Sequence, residues 1–324
     1  MAHYLVTGTA GFIASKVAEF LLDEGHTVVG VDNLNDAYDV RLKEWRLGRL
    51  RGREGFSYAH LDICDKDALQ KQVFGGNRFD AVFNLAARAG VRQSVENPYV
   101  YADTNLDGTL NLLELCREHD IGKFILASTS SLYGAHNEMP YTESQNTDRP
   151  LSPYAASKKA AEAMCYTYHY LFGMDVTVFR YFTVYGPAGR PDMSLFRFTQ
   201  WISEGKPVIV YGDGQQSRDF TFVDDIARGT IAGLAEVGYE VINLGSDTPV
   251  VLIDAVRLIE EISGKSADIH FEPRHKADVT ATWANISKAE RLLGWRPQYD
   301  FRKGVKALVD WYEANRDWAR EIET

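Results

Sequence analysis

The chain has 324 residues, 45% hydrophobic and 25% charged, with a formal net charge of −10. This is an ordinary globular composition, long enough for one large domain or two unequal ones around a deep core. The acidic balance argues against a nucleic-acid partner, and no apolar run approaches the roughly 20 residues that cross a bilayer, so no membrane partner is expected either.

The N-terminal residues enter a strand-like segment without a basic leader, which makes a soluble cytoplasmic protein the expectation. Cys64, Cys116 and Cys165 are widely spaced and odd in number, a pattern of reduced structural thiols and not of a disulfide framework. The eight histidines show no metal-ligand spacing, and no metal is expected.

In chain order, short β-branched or apolar runs at 4–7, 27–31, 57–60, 81–85, 123–128 and 176–179 alternate with helix-periodic segments such as 12–24 and 105–118. Strands separated by helices predict an α/β fold, a parallel sheet covered by helices, with ligands beyond the C-terminal strand ends. After about residue 182 the alternation gives way to turn signals at 185–187, 189–192 and 211–214, followed by helices near 251–263 and 286–293. A smaller, discontinuous second lobe is expected there, and the lack of repeats or low-complexity tracts leaves no linker between independent modules.

The first strand runs directly into Gly8-Thr9-Ala10-Gly11-Phe12-Ile13-Ala14 at the head of an amphipathic helix. Glycines there allow a tight turn and let backbone N–H groups approach a pyrophosphate, although a glycine-rich turn before a helix also serves as plain punctuation. Asp32 closes the second strand about 20 residues on, where a carboxylate accepts both hydroxyls of an adenosine ribose and repels a 2′-phosphate, favouring NAD. The alternative for Asp32 is a helix cap or a solvated strand end. Asp62 and Ile63 after the third strand, and Leu85, Ala86 and Ala87 after the fourth, would place a polar group for adenine and small side chains along the same groove. Asn33, beside Asp32, completes the candidate cofactor set.

Pro153 opens a helix that carries Tyr154 and Lys158 one turn apart on one face. A phenol with a free pKa of about 10 is a poor base at neutral pH, and a cation one turn away would favour its phenolate. A solvated Tyr/Lys pair is the plainer reading of the same spacing. Taken together, G-T-A-G-F-I-A at 8–14, Asp32, S-T-S-S-L-Y-G at 128–134 and Y-A-A-S-K at 154–158 resemble the extended short-chain dehydrogenase/reductase family over almost the whole chain. The resemblance implies a doubly wound Rossmann-type domain holding NAD over residues 1–180, rejoined by a segment at about 215–245, with a substrate lobe at 181–214 and 246–324. It also implies a catalytic Thr129, Tyr154 and Lys158 set, the last two also against the cofactor, and a homodimer built on helices near 100–118 and 153–171.

The family's sugar-nucleotide 4,6-dehydratases typically carry Asp-Glu after the threonine, and its glucuronate decarboxylases usually a glutamate in that segment, whereas this chain has Ser130 and Ser131. Serine does not readily supply a general acid or base, so elimination is disfavoured and oxidation with return of the hydride is left. The stretches at 180–187, 189–193, 32–43 and 89–94 resemble the UDP-glucuronate 4-epimerase subfamily. Ala188 departs from a usual tryptophan, Arg88 from a common glutamine, and residues 211–220 look more like generic UDP-sugar epimerases.

The implied activity is NAD-dependent 4-epimerisation of a UDP-sugar, UDP-glucuronate first, with UDP-glucose or an N-acetylhexosamine derivative as alternatives. A net sugar-nucleotide reductase or an NAD-binding sensor are the readings outside the epimerases. Arg218 and the 274–278 segment, with Asp278, are expected at the diphosphate, a solvated charge run being the other reading of 274–276. Ser130, Ser131, Thr183 and Arg190, joined by Arg88, are expected around a substrate carboxylate.

Overall fold

The structure is a computed structural model that describes residues 1–273 and 279–324. The first half runs β1 His3–Thr7, α1 Phe12–Asp23, β2 Thr27–Asp32, α2 Val40–Gly48, β3 Phe56–His60, α3 Lys66–Gln72, β4 Ala81–Asn84, α4 Val91–Glu96, α5 Tyr99–Ala102, α6 Gly108–Glu118, β5 Lys123–Thr129, α7 Pro153–Phe172 and β6 Asp175–Tyr181. The second adds β7 Thr183–Tyr185, α8 Ser194–Glu204, β8 Pro207–Tyr211, β9 Ser217–Phe222, α9 Val223–Ala232, β10 Tyr239–Leu244, β11 Pro249–Val251, α10 Leu252–Ser263, β12 Asp268–Glu272, α11 Ser287–Leu293, α12 Phe301–Ala314 and α13 Arg316–Ala319.

Among the described residues, seven strands form one parallel sheet in the order β10-β6-β5-β4-β1-β2-β3. This is the expected doubly wound α/β architecture. Winding reverses between β1 and β4, so a crevice opens at their C-terminal ends. The inner strands β4 and β5 are buried throughout, as near-continuous apolar runs covered on both faces must be. On one face of the sheet, Ala14, Val17 and Leu21 of α1 pack with Ile226 of α9 and Phe179. On the other, Leu112, Leu113 and Leu115 of α6 pack with Ala161 and Cys165 of α7. A third core joins α8, α10 and α12 to β8 and β9 through Phe196, Val256, Leu308, Val210 and Phe220.

The six strands expected from the sequence are all present, with β6 extended to Tyr181. The helix expected over 105–118 is different. Its first residues form a π-helical turn, Asp103–Asp107, and α6 begins at Gly108. Asn105 explains the widened turn: its Oδ1 accepts the Arg88 N–H at 2.9 Å, while its Nδ2 donates to Arg88 O at 3.0 Å and Ser157 Oγ at 2.9 Å. One buried amide thereby fastens the loop after β4 to α7.

Late in the chain, β10 returns to pair in parallel with β6, whereas β9 pairs with β7 and β11 in a separate three-stranded sheet. Among the described residues, no helix is long and apolar enough to cross a membrane.

Candidate active site

The strand ends of β1, β2, β4 and β5 and facing residues between Phe182 and Arg218 enclose a cleft of about 740 Å³. All the site residues expected from the sequence line it, apart from Asp278, which lies outside the described residues. At the β1 end, Gly8 has φ +72° and its N–H donates to Val31 O at 2.7 Å. A Cβ on Gly8 would stand 2.8 Å from Ala86 Cα, and one on Gly11 would stand 2.7 Å from Gly8 O, so backbone packs on backbone. Gly11 is also the N-cap of α1, which leaves the first-turn N–H groups facing the cleft.

Asp32 Oδ2 accepts the Ala10 N–H at 3.0 Å and Oδ1 the Leu34 N–H at 2.8 Å. Those bonds tie the loops after β1 and β2 together and leave lone pairs on both oxygens for hydroxyl groups. Asp62 accepts from Asn33 Nδ2 at 2.7 Å and from the Cys64 N–H at 2.9 Å. Burial works to raise the Asp62 pKa, and these hydrogen bonds outweigh it and hold the carboxyl below its usual range. Phe12, Ile13, Ile63, Leu85, Ala86 and Ala87 add apolar wall. The groove thus fits a dinucleotide, with backbone donors for phosphates, a carboxylate for a ribose diol and flat apolar surface for rings.

At the other end of the cleft, Ser152 caps α7 by accepting the Ala155 N–H at 3.2 Å, and Pro153 fills the first turn. Tyr154 and Lys158 are thereby fixed on the cleft side of the helix. Lys158 is 2% exposed, and its Nζ donates to Ala127 O at 2.9 Å. Burial pushes its pKa down to about 8, against the opposing pull of Cys165 and Glu162.

The Tyr154 phenol departs from the sequence expectation. Burial raises its pKa, and what pulls it back is a hydrogen bond with Thr129 and the charge of Arg190. The cation favouring the phenolate therefore comes from the loop between β7 and α8, because Lys158 is turned toward the β5 carbonyl. Thr129 Oγ1 accepts the Ser131 N–H at 3.1 Å and donates to Ser131 Oγ at 3.1 Å, folding Ser130–Tyr133 into a tight turn.

Thr183, on β7, lines the facing wall. Arg190 lies against Asp192, with Nε to Oδ1 at 3.1 Å and Nη2 to Oδ2 at 2.6 Å, and Nη2 also reaches Ala89 O at 3.4 Å. Arg218 donates to Ser217 O at 2.7 Å and Val279 O at 2.9 Å. Arg88, expected at a sugar carboxylate, lines the same cleft, where its Nη1 donates to Asn35 Oδ1 at 3.1 Å and its charge acts on Tyr101 together with that of Arg190. Asn35 follows β2 and offers a fixed acceptor within reach.

Two cations of α2 carry no role in the sequence reading. Lys43, 4% exposed, donates to Asn35 Oδ1 at 2.9 Å and lies 4.8 Å from the centre of the Tyr38 ring. Its pKa is pushed down to about 8 by burial, with Asp32 opposing and Arg46 and Arg88 adding to the fall. Arg46, 2% exposed, donates to Tyr38 OH at 2.7 Å, Ala10 O at 3.2 Å, Ala188 O at 2.6 Å and Gly189 O at 3.1 Å. It joins the glycine turn to the loop after β7, at the backbone position where Ala188 has φ +52°. The available signal was their spacing of three on one helix, which puts both cations on one face.

The family model described as GDP-mannose 4,6 dehydratase matches residues 5–308. A UDP-glucuronate 4-epimerase of Thermodesulfobacterium geofontis is 54% identical over 100% of both chains. The chain belongs to the extended short-chain dehydrogenase/reductase family, in its GDP-mannose 4,6 dehydratase group.

Among solved members of this short-chain dehydrogenase/reductase family, the UDP-glucuronic acid 4-epimerase of Bacillus cereus, in complex with UDP-glucuronic acid and NAD, matches with a TM-score of 0.89 at 37% identity. That match covers 97% of this chain and 99% of the other. The UDP-glucose 4-epimerase of Thermotoga maritima, with UDP-glucose, has a TM-score of 0.89 at 31% identity over 97% and 99%.

Proposed function

We propose that the chain is an NAD-dependent UDP-sugar 4-epimerase that prefers UDP-glucuronate and passes through a transient 4-keto sugar. The observation that carries this reading is the enclosed Thr129, Tyr154 and Lys158 set, in one cleft with the glycine turn, followed by two serines where eliminating relatives place carboxylates. The 54% identity to a UDP-glucuronate 4-epimerase supports the choice of sugar.

NAD, held by Gly8, Gly11, Phe12, Ile13, Asp32, Asn33, Asp62, Ile63 and residues 85–87, would supply the two-electron exchange at C4. Tyr154 takes the proton of the sugar 4-hydroxyl and later returns it, while Thr129 hydrogen-bonds the same oxygen. Arg190, beside the phenol, lowers the cost of forming the phenolate, and Lys158 holds a ribose hydroxyl. Ser130, Ser131, Thr183 and Arg190 meet the sugar carboxylate, and Arg218 faces the diphosphate side.

One observation favours a neutral sugar as a second reading: Arg190 is already paired with Asp192, which competes with a substrate carboxylate. The division into an NAD-binding domain over 1–180 and 215–245 and a substrate lobe over 181–214 and 246–324 belongs to the same proposal, supported by the return of β10 to β6. A cytoplasmic homodimer also belongs to it, supported by exposed Tyr166, Tyr170, Leu171 and Phe172 on α7.

The test is incubation with UDP-glucuronate, UDP-glucose and UDP-N-acetylglucosamine separately, with and without added NAD, followed by proton NMR. Conversion of UDP-glucuronate to its C4 epimer without net NADH is expected, and turnover of neutral sugars alone would replace the preferred substrate. If no sugar epimerises, the reading falls. Tyr154→Phe should lose at least about 10²–10⁴-fold in kcat while still binding NAD.

A further inference from the structure

Asn35 leaves β2 and Arg88 leaves β4, the two strands that flank β1 in the sheet. Their hydrogen bond, Arg88 Nη1 to Asn35 Oδ1 at 3.1 Å, joins positions 53 apart in sequence. A side-chain bridge between the loops on either side of β1 must cross the end of β1. That is where the first turn of α1, after its Gly11 N-cap, leaves N–H groups without intrahelical partners.

Both ends of the bridge are anchored. Arg88 is fixed through its backbone N–H and carbonyl to Asn105, at 2.9 and 3.0 Å. Asn35 Oδ1 also accepts Lys43 Nζ at 2.9 Å, and Asn35 Nδ2 donates to Asn33 Oδ1 at 2.8 Å. Lys43 and Arg88 thus converge on one carboxamide near Asp32, with Arg46 close enough to repel Lys43. Like charges gathered this way repel one another, and a dianionic diphosphate is a group that would relieve the repulsion.

We propose that Arg88 and Asn35 form a clasp over the dinucleotide groove, which holds the cofactor's diphosphate against the α1 turn and slows cofactor release. The inference rests on the NAD reading above, and it moves Arg88 from the sugar to the cofactor. An epimerase regenerates its oxidised cofactor in every cycle, so slow release does not limit turnover.

The test uses the NAD-loaded protein. Released NAD is trapped by an excess of an unrelated NAD-dependent alcohol dehydrogenase with its substrate, and NADH absorbance reports the release rate. Wild type is compared with Arg88→Ala, Arg88→Gln, Asn35→Ala and the double alanine variant.

Arg88→Ala should release NAD about tenfold faster, the scale of losing one charged hydrogen bond. The double variant should fall short of the product of the two single effects. The Lys43 contact of Asn35 enters both sides of that cycle and cancels. Arg88→Gln should be intermediate, and its release should accelerate less with salt than that of wild type.

Release at the wild-type rate in both Arg88 variants would overturn the clasp, and a rise in KM for UDP-glucuronate would then return Arg88 to the sugar. Multiplicative single effects would also overturn it. A wild type that binds no NAD would remove the epimerase reading and the clasp together, whereas one that binds NAD and epimerises while its variants release normally removes the clasp alone.

Discussion

Lys158 and Glu162 stand one turn apart inside α7, and burial makes each charge costly. Glu162 accepts Ser128 Oγ at 2.6 Å and Arg180 at 3.0 and 2.8 Å, while Arg180 Nη1 reaches Tyr133 OH at 3.2 Å. Glu162→Gln leaves the buried Arg180 guanidinium without its counter-charge and should destabilise by about 3–5 kcal/mol, read as a lower urea midpoint. Lys158 predicts the opposite sign. Its folded pKa of about 8 lies below the ordinary 10.5, so between those values the unfolded chain binds the extra proton and stability rises with pH. Its contribution is complete above the unfolded value and is lost as pH falls through 8. At pH 7 the fold therefore carries a cost of up to about 3 kcal/mol. Lys158→Met, free of cofactor, should melt above wild type at pH 7, with a gap that narrows toward pH 10, as thermal scans would show. A gap independent of pH would contradict the burial assigned to this ammonium. Lys158 and Tyr154 were legible in the sequence because cap, proline and one helical turn place them locally. Lys43 and Arg46 were not, because the carbonyls that hold Arg46 include Ala188, 142 positions away.

The start of α7 shows how an element sets chemistry. Ser152 satisfies the Ala155 N–H and fixes the turn that carries Tyr154. Ser152→Ala should cost about 1 kcal/mol in chemical denaturation and lower kcat with little change in NAD affinity. An unchanged kcat would show that packing alone seats Tyr154. The parallel strands were readable because burial on both faces demands apolar runs, whereas β7 and β11 are three residues long and carry no period to detect. The π turn before α6 was equally hidden, since it depends on Asn105 meeting Arg88 and Ser157 from other elements.

The glycine turn and the loop after β7 meet through Arg46, whose buried guanidinium draws together the carbonyls of Ala10, Ala188 and Gly189. Arg46→Met strands those carbonyls and should cost about 3 kcal/mol, with faster hydrogen exchange around Gly8 to Ala10 and Ala188 to Arg190. Protection unchanged at both places would mean that the apolar contacts between the two segments suffice. A different consequence belongs to β10. The edge of β6 that it covers is made about 60 residues earlier, and at roughly 5–20 residues per second the ribosome leaves that edge without its partner for several seconds. During that interval β6 offers a row of unpaired backbone groups to any neighbouring chain. The late return of the polypeptide to β6 thus places the hazard of its biogenesis in the time before Leu244 emerges, when a nascent chain needs shelter that the finished molecule does not.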